Sequence, residues 1–535
     1  MPDAVVIGAG PNGLVAANVL ADAGWEVEVL EAAPEPGGAV KTAELTEPGF
    51  HHDVFSAFYP LAVASPAIRA LELDRYGLRW GRGELALAHP ASDGTCAVLS
   101  TDLDETAASL DVFAPGDGES WRRLFALWRR VGDAFLDTLV TPFPPVRAGV
   151  RIGAKLGPHD ALRFARMALL PVRRLADENF RADGGARLLA GNALHADFLP
   201  ESAFSGFSAW LLTCLGQDVG FPFPEGGAAR LTDALVARLR DRGATLRCDA
   251  PVDAIVVRGG RAAGVRVKGD VVGARRAVLA DVTAPALYLD LVGEEHLPRR
   301  VVDDLRRFEW DTATVKIDWA LDGPVPWAAR DARRSPVVHL ADSLDELSVY
   351  AGELARGRLP ERPLIVFGQY AAADPSRCPP GKEVAWAYSH VPRGAWVDDD
   401  RDEHVARVEQ RIEELAPGFA SLIRARHVLT PADLERRDPN LVSGAINGGT
   451  AQLHQQLIFR PVPGLGRPET PIRGLYLASA SAHPGGGVHG APGAIAARAV
   501  LSRERAKRTA VAVAAGGAAL AAARSVRSGL QDRRR

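Results

Sequence analysis

The sequence predicts an α/β protein in which a parallel sheet carries an inserted α+β part. The first thirty residues have the pattern strand, glycine turn, helix and strand, with Asp3 to Ile7 as the opening strand. A second strand, glycine loop and helix follow one another between Gly474 and Leu501. The chain of 535 residues is too long for one ordinary hydrophobic core, so we expect two interleaved domains.

A glycine turn follows the opening strand. Gly8 allows the tight turn, Gly10 lets a pyrophosphate approach the backbone, and Gly13 lets the next helix pack closely on the sheet. The start of that helix offers N–H groups and a partial positive charge to phosphates. Glu31 follows the second strand and is placed to accept hydrogen bonds from ribose hydroxyls. The unit therefore predicts a dinucleotide site, and the alternative is a glycine-rich turn in an unrelated α/β protein.

Two further glycine segments favour FAD over NAD. Gly37-Gly38 lies at the position where an NAD dehydrogenase would usually begin another helix. An ordinary loop explains this pair equally well. The loop from His483 to Gly493 places glycines at the start of a second helix, and a helix N-terminus favours partial negative charge. In a flavoenzyme the reduced ring gains such charge at its N1/C2=O edge. We expect these distant segments to hold opposite ends of one FAD.

The motif from Ala482 to Gly493, paired with the N-terminal glycine turn, resembles the phytoene-desaturase-type FAD oxidoreductases. More narrowly, it is similar to the branch named pyridine nucleotide-disulfide oxidoreductase domain-containing protein 2. The resemblance extends to Gly49–Ala57 and to Phe459–Pro461. It implies a Rossmann-like FAD-binding domain of the glutathione-reductase-like superfamily, built from discontinuous segments. It also implies FAD-dependent dehydrogenation, or desaturation, of a largely apolar organic substrate by hydride transfer to the flavin N5.

The expected FAD contacts come from the glycine segments and from one strand between them. The resemblance implies that Val252 meets the adenine through its backbone, although Val252 is equally well explained as a sheet residue. Ala39 stands where the wider desaturase and amine-oxidase group commonly has arginine, so Lys41 is the nearest cation. The full set of expected contacts is Gly8, Gly10, Pro11, Asn12, Gly13, Glu31, Gly37, Gly38, Lys41, Val252, Ser479, Gly486, Gly487, Val488 and Gly490.

The segments divide into expected domains. The FAD-binding segments are 1–75, 224–284 and 441–505, and by elimination the insertions 76–223 and 285–440 build the substrate domain. A basic, alanine-rich tail covers 506–535, and its apolar stretch over 509–523 is shorter than the roughly twenty residues that span a bilayer. We expect a mobile or peripheral helix there. The glycines between 224 and 284 form a hairpin and open no helix, so no NAD(P)H site is expected, and dioxygen, a quinone or another soluble acceptor would take the electrons.

The sequence does not identify a catalytic base, but it offers three weak candidates. Thr312 to Trp319 alternates polar and apolar residues, which predicts a strand with one apolar face. On its polar face Lys316 could approach the flavin N5 through water, as a lysine does in the similar amine oxidases, and a solvated strand lysine is the alternative. His483 and His489 lie beside the expected flavin ring, either as acid and base or as residues that shape the loop.

The first insertion carries a second group of candidates for the substrate site. Aromatic residues and a few polar ones follow one another there, a mixture that suits an apolar tunnel with polar anchors. Domain core is the alternative for most of the aromatic residues. The group comprises Asn192, His195, Asp197, Phe198, Phe204, Phe207 and Trp210.

Two alternative functions remain open. The same motifs would serve an amine-oxidase-like or isomerising flavoprotein, or a non-catalytic, flavin-bound regulatory protein. A net charge of −3 gives no general attraction to nucleic acid. The four cysteines are far apart, which predicts neither a redox dithiol nor a metal site.

The sequence favours a cytoplasmic protein, because the apolar run Ala4–Ile7 is too short for a signal peptide. The basic stretch Arg147–Arg174 suits either peripheral contact with a membrane or a solvated helix face. The oligomeric state is not predicted.

Overall fold

The computed structural model describes residues 1–394, 396, 400–507 and 509–510. The predicted tail helix over 509–523 therefore lies almost entirely outside the described residues. In chain order the strands are β1 (Ala4–Ile7), β2 (Val27–Leu30), β3 (Thr42–Ala43), β4 (His52–Asp53), β5 (Trp80–Gly81), β6 (Leu87–Pro90), β7 (Cys96–Leu99), β8 (Phe223–Pro224), β9 (Thr245–Arg247), β10 (Val252–Arg258), β11 (Arg261–Val267), β12 (Asp270–Gly273), β13 (Ala277–Ala280), β14 (Ala313–Leu321), β15 (Val337–Leu340), β16 (Ile365–Gln369), β17 (Glu383–Val391), β18 (Ile423–Leu429) and β19 (Leu475–Leu477).

The α-helices lie between these strands, mostly in the two insertions. In chain order they are α1 (Pro11–Asp22), α2 (Pro60–Ala64), α3 (Pro66–Arg69), α4 (Leu103–Phe113), α5 (Asp117–Leu139), α6 (Val146–Leu169), α7 (Val172–Asn179), α8 (Asp183–Ala193), α9 (Ser205–Val219), α10 (Ala229–Asp241), α11 (Arg299–Leu305), α12 (Leu344–Ala355), α13 (Asp400–Leu415), α14 (Phe419–Leu422), α15 (Pro431–Arg437) and α16 (491–507). Among the described residues, no helix has the length and apolar character needed to cross a membrane.

Strands from distant parts of the chain form a five-stranded parallel sheet in the order β19-β13-β1-β2-β9. β1 and β13 are buried along their whole length, as expected for parallel strands covered on both faces. Residues of α1, α10 and α16 pack against one face, and the antiparallel sheet β10-β11-β12 shares a hydrophobic core with the other. The predicted α/β architecture is confirmed, as is the hairpin at Gly259-Gly260 that joins β10 to β11.

A second, seven-stranded sheet has the order β18-β14-β17-β16-β15-β6-β7. The predicted apolar face of β14, with Val315, Ile317 and Trp319, packs against apolar residues of α13. The opposite face is buried as well, since every residue of β14 is buried. The expectation of a solvated polar face was therefore wrong, because other parts of the fold cover it.

Helices α4 to α9 share one hydrophobic core with residues of β6 and β7. Phe207 and Trp210 lie in this core, and the indole N–H of Trp210 donates to the carbonyl of Leu124 at 3.1 Å. The domain-core alternative therefore describes these two aromatic residues. Their predicted neighbours His195 and Asp197 instead lie near the candidate active site.

Candidate active site

The first glycine turn is too tightly packed to accept side chains. A Cβ at Gly13 would lie 2.2 Å from the Gly8 carbonyl oxygen, and one at Gly10 would lie 2.8 Å from Asp281 Oδ2. Helix α1 begins directly after this turn with Pro11 at its first position, and its first turn holds no acidic residue. No side chain among the described residues caps the helix. Its N-terminal N–H groups and partial positive charge therefore suit a pyrophosphate.

Glu31 is fixed beside this turn. Its carboxylate accepts hydrogen bonds from the N–H groups of Ala9 at 2.7 Å and of Ala33 at 2.9 Å. The N–H of Ala250 donates to the Glu31 carbonyl at 2.8 Å, which brings the start of β10 and Val252 to the same edge. Three segments predicted to contact the adenosine half of FAD are thus brought together.

The second glycine pair packs directly on the first turn. The N–H of Gly37 donates to the Ala9 carbonyl at 2.9 Å, and a Cβ at Gly38 would lie 3.1 Å from the Gly10 Cα. Gly38 has a φ of +52°, in the left-handed region that favours glycine. Lys41 follows on the same loop and is partly exposed. Burial raises the pKa of the neighbouring Asp438, and the positive charge of Lys41 acts in the opposite direction.

The C-terminal glycine loop lies against the N-terminal one. A Cβ at Gly493 would lie 1.9 Å from the Asn12 carbonyl oxygen, and one at Gly490 would lie 2.7 Å from Val15 Cγ2. The N-terminus of α16 therefore packs directly on the first turn of α1. Gly487 is exposed and Val488 is partly exposed, so this part of the loop borders accessible space. Ser479 is buried below, and its hydroxyl accepts from the Ser481 N–H at 3.2 Å.

His489 uses both ring nitrogens to brace this loop. Its Nδ1 accepts from the Ala491 N–H at 3.1 Å, and its Nε2 lies 3.2 Å from the Gly486 carbonyl oxygen, to which it donates. Burial lowers the pKa of His489 to about 4. The geometry thus favours the loop-shaping role. His483 is also buried, which lowers its pKa to about 4, and its ring packs edge to face on Phe143 with centroids 5.4 Å apart.

Lys316 is held in a buried ion pair, not in solvent. Its ammonium donates to the Asp318 carboxylate, and His52 Nδ1 lies 3.4 Å from that carboxylate. Although burial opposes ionisation, Lys316 and His52 hold the pKa of Asp318 below its usual value. The alternative of a solvated strand lysine was wrong, because β14 is buried along its whole length. The ammonium also lies 5.8 Å from the centre of the Trp386 ring.

The sequence analysis missed an acid beneath the glycine turn. Asp281 directly follows β13, and its Oδ2 accepts from the Gly13 N–H at 2.8 Å. Burial, with the negative charges of Asp438 and Glu31, raises the pKa of Asp281 to about 7. Its position was a usable signal, because ligands of open α/β sheets bind at the carboxyl ends of the strands.

A sequence model of the family described as "Flavin containing amine oxidoreductase" matches residues 12–501. The chain belongs to this family. The glycine cradle, the uncapped start of α1 and Glu31 all suit a dinucleotide. This family member is therefore an FAD-dependent oxidoreductase, and the resemblance seen in the sequence is confirmed.

Similar proteins span nearly the whole of this amine oxidoreductase. Pyridine nucleotide-disulfide oxidoreductase domain-containing protein 2 of Mus musculus is 30% identical, with 93% of each chain covered. A limonene dehydrogenase polypeptide of Castellaniella defragrans is 25% identical over 90% of this chain and 91% of its own. The lycopene-forming phytoene desaturase of Pseudescherichia vulneris is also 25% identical, over 94% of this chain and 99% of its own.

The fold is also shared with solved structures. An oxidoreductase from Methanosarcina mazei superposes with a TM-score of 0.60 at 17% identity, covering 93% of this chain and 99% of its own. At that identity the likeness supports the fold alone.

FAD affinity should fall as pH rises through about 7, the pKa of Asp281. Ionisation places a negative charge under the turn that receives the pyrophosphate, whereas the protonated carboxyl does not. Fluorescence titration of flavin-free protein with FAD at pH 6 and pH 8.5 measures the effect. The variant Asp281→Asn should bind FAD with nearly equal affinity at both values. An equal pH dependence in wild type and variant would exclude Asp281 as its source.

Proposed function

We propose that this oxidoreductase dehydrogenates a largely apolar organic substrate, with FAD accepting a hydride at the flavin N5. The observation that carries the proposal is the packing of the Gly490 and Gly493 loop on the first turn of α1. This packing lets one extended cofactor contact both loops, with its ring beside Gly487. The partial positive charge at the start of α16 then stabilises the reduced ring.

Accessible surface on the polar face of the seven-stranded sheet supports a substrate site there. Tyr388 lies in the middle of β17 and retains accessible surface, although its neighbours on that strand are buried. Phe58 lies just before α2 and Leu61 lies within it, and both side chains are partly exposed. Leu61 also lies near Gly487, since a Cβ there would be 2.9 Å from Leu61 Cδ1. Apolar groups thus border the space between the loop and the sheet, as an apolar substrate requires.

The relatives favour a hydrocarbon-like substrate. Two of them are named for limonene dehydrogenation and phytoene desaturation. We therefore propose a substrate of this class, and dioxygen or a quinone as the acceptor of the electrons.

The proposed domain organisation follows the two sheets. Residues 1–75, 224–284 and 441–505 would form the FAD-binding domain of the glutathione-reductase-like superfamily, and 76–223 with 285–440 an inserted substrate domain. The five-stranded sheet draws its strands from the first group of segments, which supports this division. The seven-stranded sheet draws β6 and β7 from the first insertion and its other strands from the second, which fits the same division.

The FAD-loaded protein should lose its oxidised flavin absorbance when mixed anaerobically with limonene or phytoene in detergent. Hydride transfer to the flavin bleaches this band, so rapid-scan absorbance spectroscopy measures the reaction. Putrescine serves as an amine probe under the same conditions. Bleaching by putrescine alone would replace the proposal with an amine oxidation. Oxidised flavin that persists with all three probes would contradict the proposal.

We also propose that α6 rests on an anionic membrane from which an apolar substrate enters. Helical geometry is interrupted at Gly157, with Val150 66% exposed before this break and Leu162 74% exposed after it. The cations exposed on the two parts are Arg147, Lys155 and Arg163. Apolar residues interleaved with cations suit the surface of an anionic bilayer. Phe143, in the segment before α6, packs on His483 of the C-terminal glycine loop.

The protein should sediment with vesicles that contain anionic phosphatidylserine and should be released as ionic strength rises. The double variant Val150→Asp/Leu162→Asp should lose this binding, because it adds charge repulsion and removes apolar contacts. Val112→Asp is the control, since Val112 is 80% exposed on α4, outside this surface. Equal sedimentation of the double variant and wild type would contradict the assignment to α6.

A further inference from the structure

One row of side chains crosses four strands of the seven-stranded sheet. Lys316 of β14 lies opposite Tyr388 of β17, Tyr388 opposite Val366 of β16, and Val366 opposite His339 of β15. Directly opposed residues of antiparallel strands project on the same face. The polar face of this sheet therefore carries Tyr388 and His339 with one valine between them.

His195, which follows α8, bridges this gap. Its Nδ1 lies 3.0 Å from the Tyr388 hydroxyl, and its Nε2 lies 2.8 Å from His339 Nε2. Tyr388, His195 and His339 thus form one continuous hydrogen-bonded chain across the strand that holds Val366. These distances are short enough for direct proton transfer along the chain.

The chain continues toward His89 on β6. A Cβ at Gly191 would lie 2.7 Å from His339 Nδ1 and 3.4 Å from His89 Nδ1, so both nitrogens face the same point. Neither has a hydrogen-bond partner among the described residues. His89 Nε2 lies 3.0 Å from the Ala341 carbonyl oxygen and must donate to it, which leaves His89 Nδ1 as an acceptor. The absence of a side chain at Gly191 keeps the path between the two rings open.

The other end of the chain faces the candidate active site. Tyr388 and His195 both retain accessible surface, although the residues on either side of Tyr388 are buried. The segment after His195 is tied to the region of the glycine loop, because Asp197 accepts from the Ala451 N–H at 2.8 Å. Arg460 joins this region to the loop by donating to the carbonyls of Thr450 at 2.9 Å and Ala480 at 2.7 Å.

We propose that Tyr388 takes up the proton that the substrate loses during dehydrogenation, and that His195 and His339 carry it away. The proposal rests on the proposed function, in which FAD is the oxidant. One carbon of the substrate gives a hydride to the flavin, and the neighbouring carbon gives a proton to the Tyr388 hydroxyl oxygen. The electron pair of that second C–H bond becomes the π bond of the product.

The proton then moves by an exchange of hydrogen bonds. Tyr388 donates its original proton to His195 Nδ1, and His195 donates its Nε2 proton to His339 Nε2. His339 then holds a proton on each ring nitrogen. Because burial lowers the pKa of His339 well below its usual value, His339 gives this proton back along the same chain once the product has left. Tyr388 is the catalytic residue, because its oxygen meets the substrate, and His195 and His339 are positioning residues that receive the proton through it.

The burial of the chain suits this role. Burial lowers the pKa of His195 to about 4, so its ring is neutral at pH 7 and passes a proton from one nitrogen to the other without keeping it. Burial also raises the pKa of Tyr388, so its hydroxyl keeps its proton until the substrate supplies another. A substrate carbon that has lost a hydride releases a proton readily, so a weak base is sufficient.

Anaerobic stopped-flow measurement of flavin reduction, with limonene as the probe, tests the chain. Tyr388→Phe and His195→Gln should each slow reduction by on the order of 10²-fold, the usual contribution of a positioned base. They should also abolish the solvent deuterium isotope effect expected for wild type, because the moving hydroxyl and imidazole protons exchange with solvent. Unchanged rates and an unchanged isotope effect in both variants would overturn the proposal.

His404→Asn is the matched control. His404 is buried and its Nε2 lies 2.7 Å from the hydroxyl of Ser389, which adjoins Tyr388 on β17 but projects from the opposite face. Its flavin reduction should match that of wild type. FAD content and circular dichroism spectra of each variant separate a loss of proton transfer from a loss of folding.

A second measurement needs no substrate and separates failure of this proposal from failure of the proposed function. In FAD-loaded protein labelled with ¹⁵N-histidine, His195 should be neutral at pH 7 with its proton on Nε2, and Tyr388→Phe should disturb that tautomer. If no probe reduces the flavin but this tautomer is observed, only the proposed function has failed. A His195 that is cationic at pH 7, or that carries its proton on Nδ1, would overturn the relay whatever the kinetics.

Discussion

The contact between α16 and the first turn of α1 is the constraint on which the rest of the site depends. Gly493 lies so close to the Asn12 carbonyl oxygen that even a methyl group would collide. Two helix N-termini from opposite parts of the sequence therefore converge beside the carboxyl edge of one parallel sheet. Each N-terminus presents partial positive charge. In the proposed function, one would hold the pyrophosphate of FAD and the other would stabilise the reduced flavin ring.

The second organising feature is the buried polar face of the seven-stranded sheet. Burial of ionic and polar groups is costly unless they are paired, so such a face is rare where only stability is selected. Here Lys316 is paired with Asp318, and Tyr388 is hydrogen-bonded to His195. The opposite face of the same sheet is apolar and packs on α13. The asymmetry favours a functional role for the polar face.

Local patterns allowed much of the FAD-binding part to be predicted. The glycine turn, the strand before it and the hairpin at Gly259-Gly260 depend on residues close together in sequence. The boundaries were less accurate: the C-terminal glycine loop was expected to extend to Gly493, whereas the last helix begins at residue 491. The two distant glycine segments were expected to lie together only because both ends of the motif were recognised together, and the structure packs Gly490 and Gly493 on the first turn of α1.

The substrate side could not be predicted in the same way. His195 is separated from His339 by 144 positions and from Tyr388 by 193, so no local periodicity relates them. The alternative that placed Lys316 in solvent rested on the alternation of polar and apolar residues in its strand, a pattern that also describes a sheet with two different buried faces. Asp281 was missed although it directly follows the four buried residues of β13. In each case the environment is set by strand order and long-range packing.

The FAD content of variants at the two glycine turns tests most directly whether both hold one cofactor. Gly10→Val and Gly490→Val should each abolish the binding of one FAD per chain, measured by absorbance after gel filtration with added FAD. Gly352→Ala is the control, because a Cβ at Gly352 meets no other atom within 4 Å, and it should bind FAD like wild type. Circular dichroism would verify that each variant is folded. If folded Gly490→Val protein retained one FAD with an unchanged flavin spectrum, the C-terminal loop would not hold the cofactor.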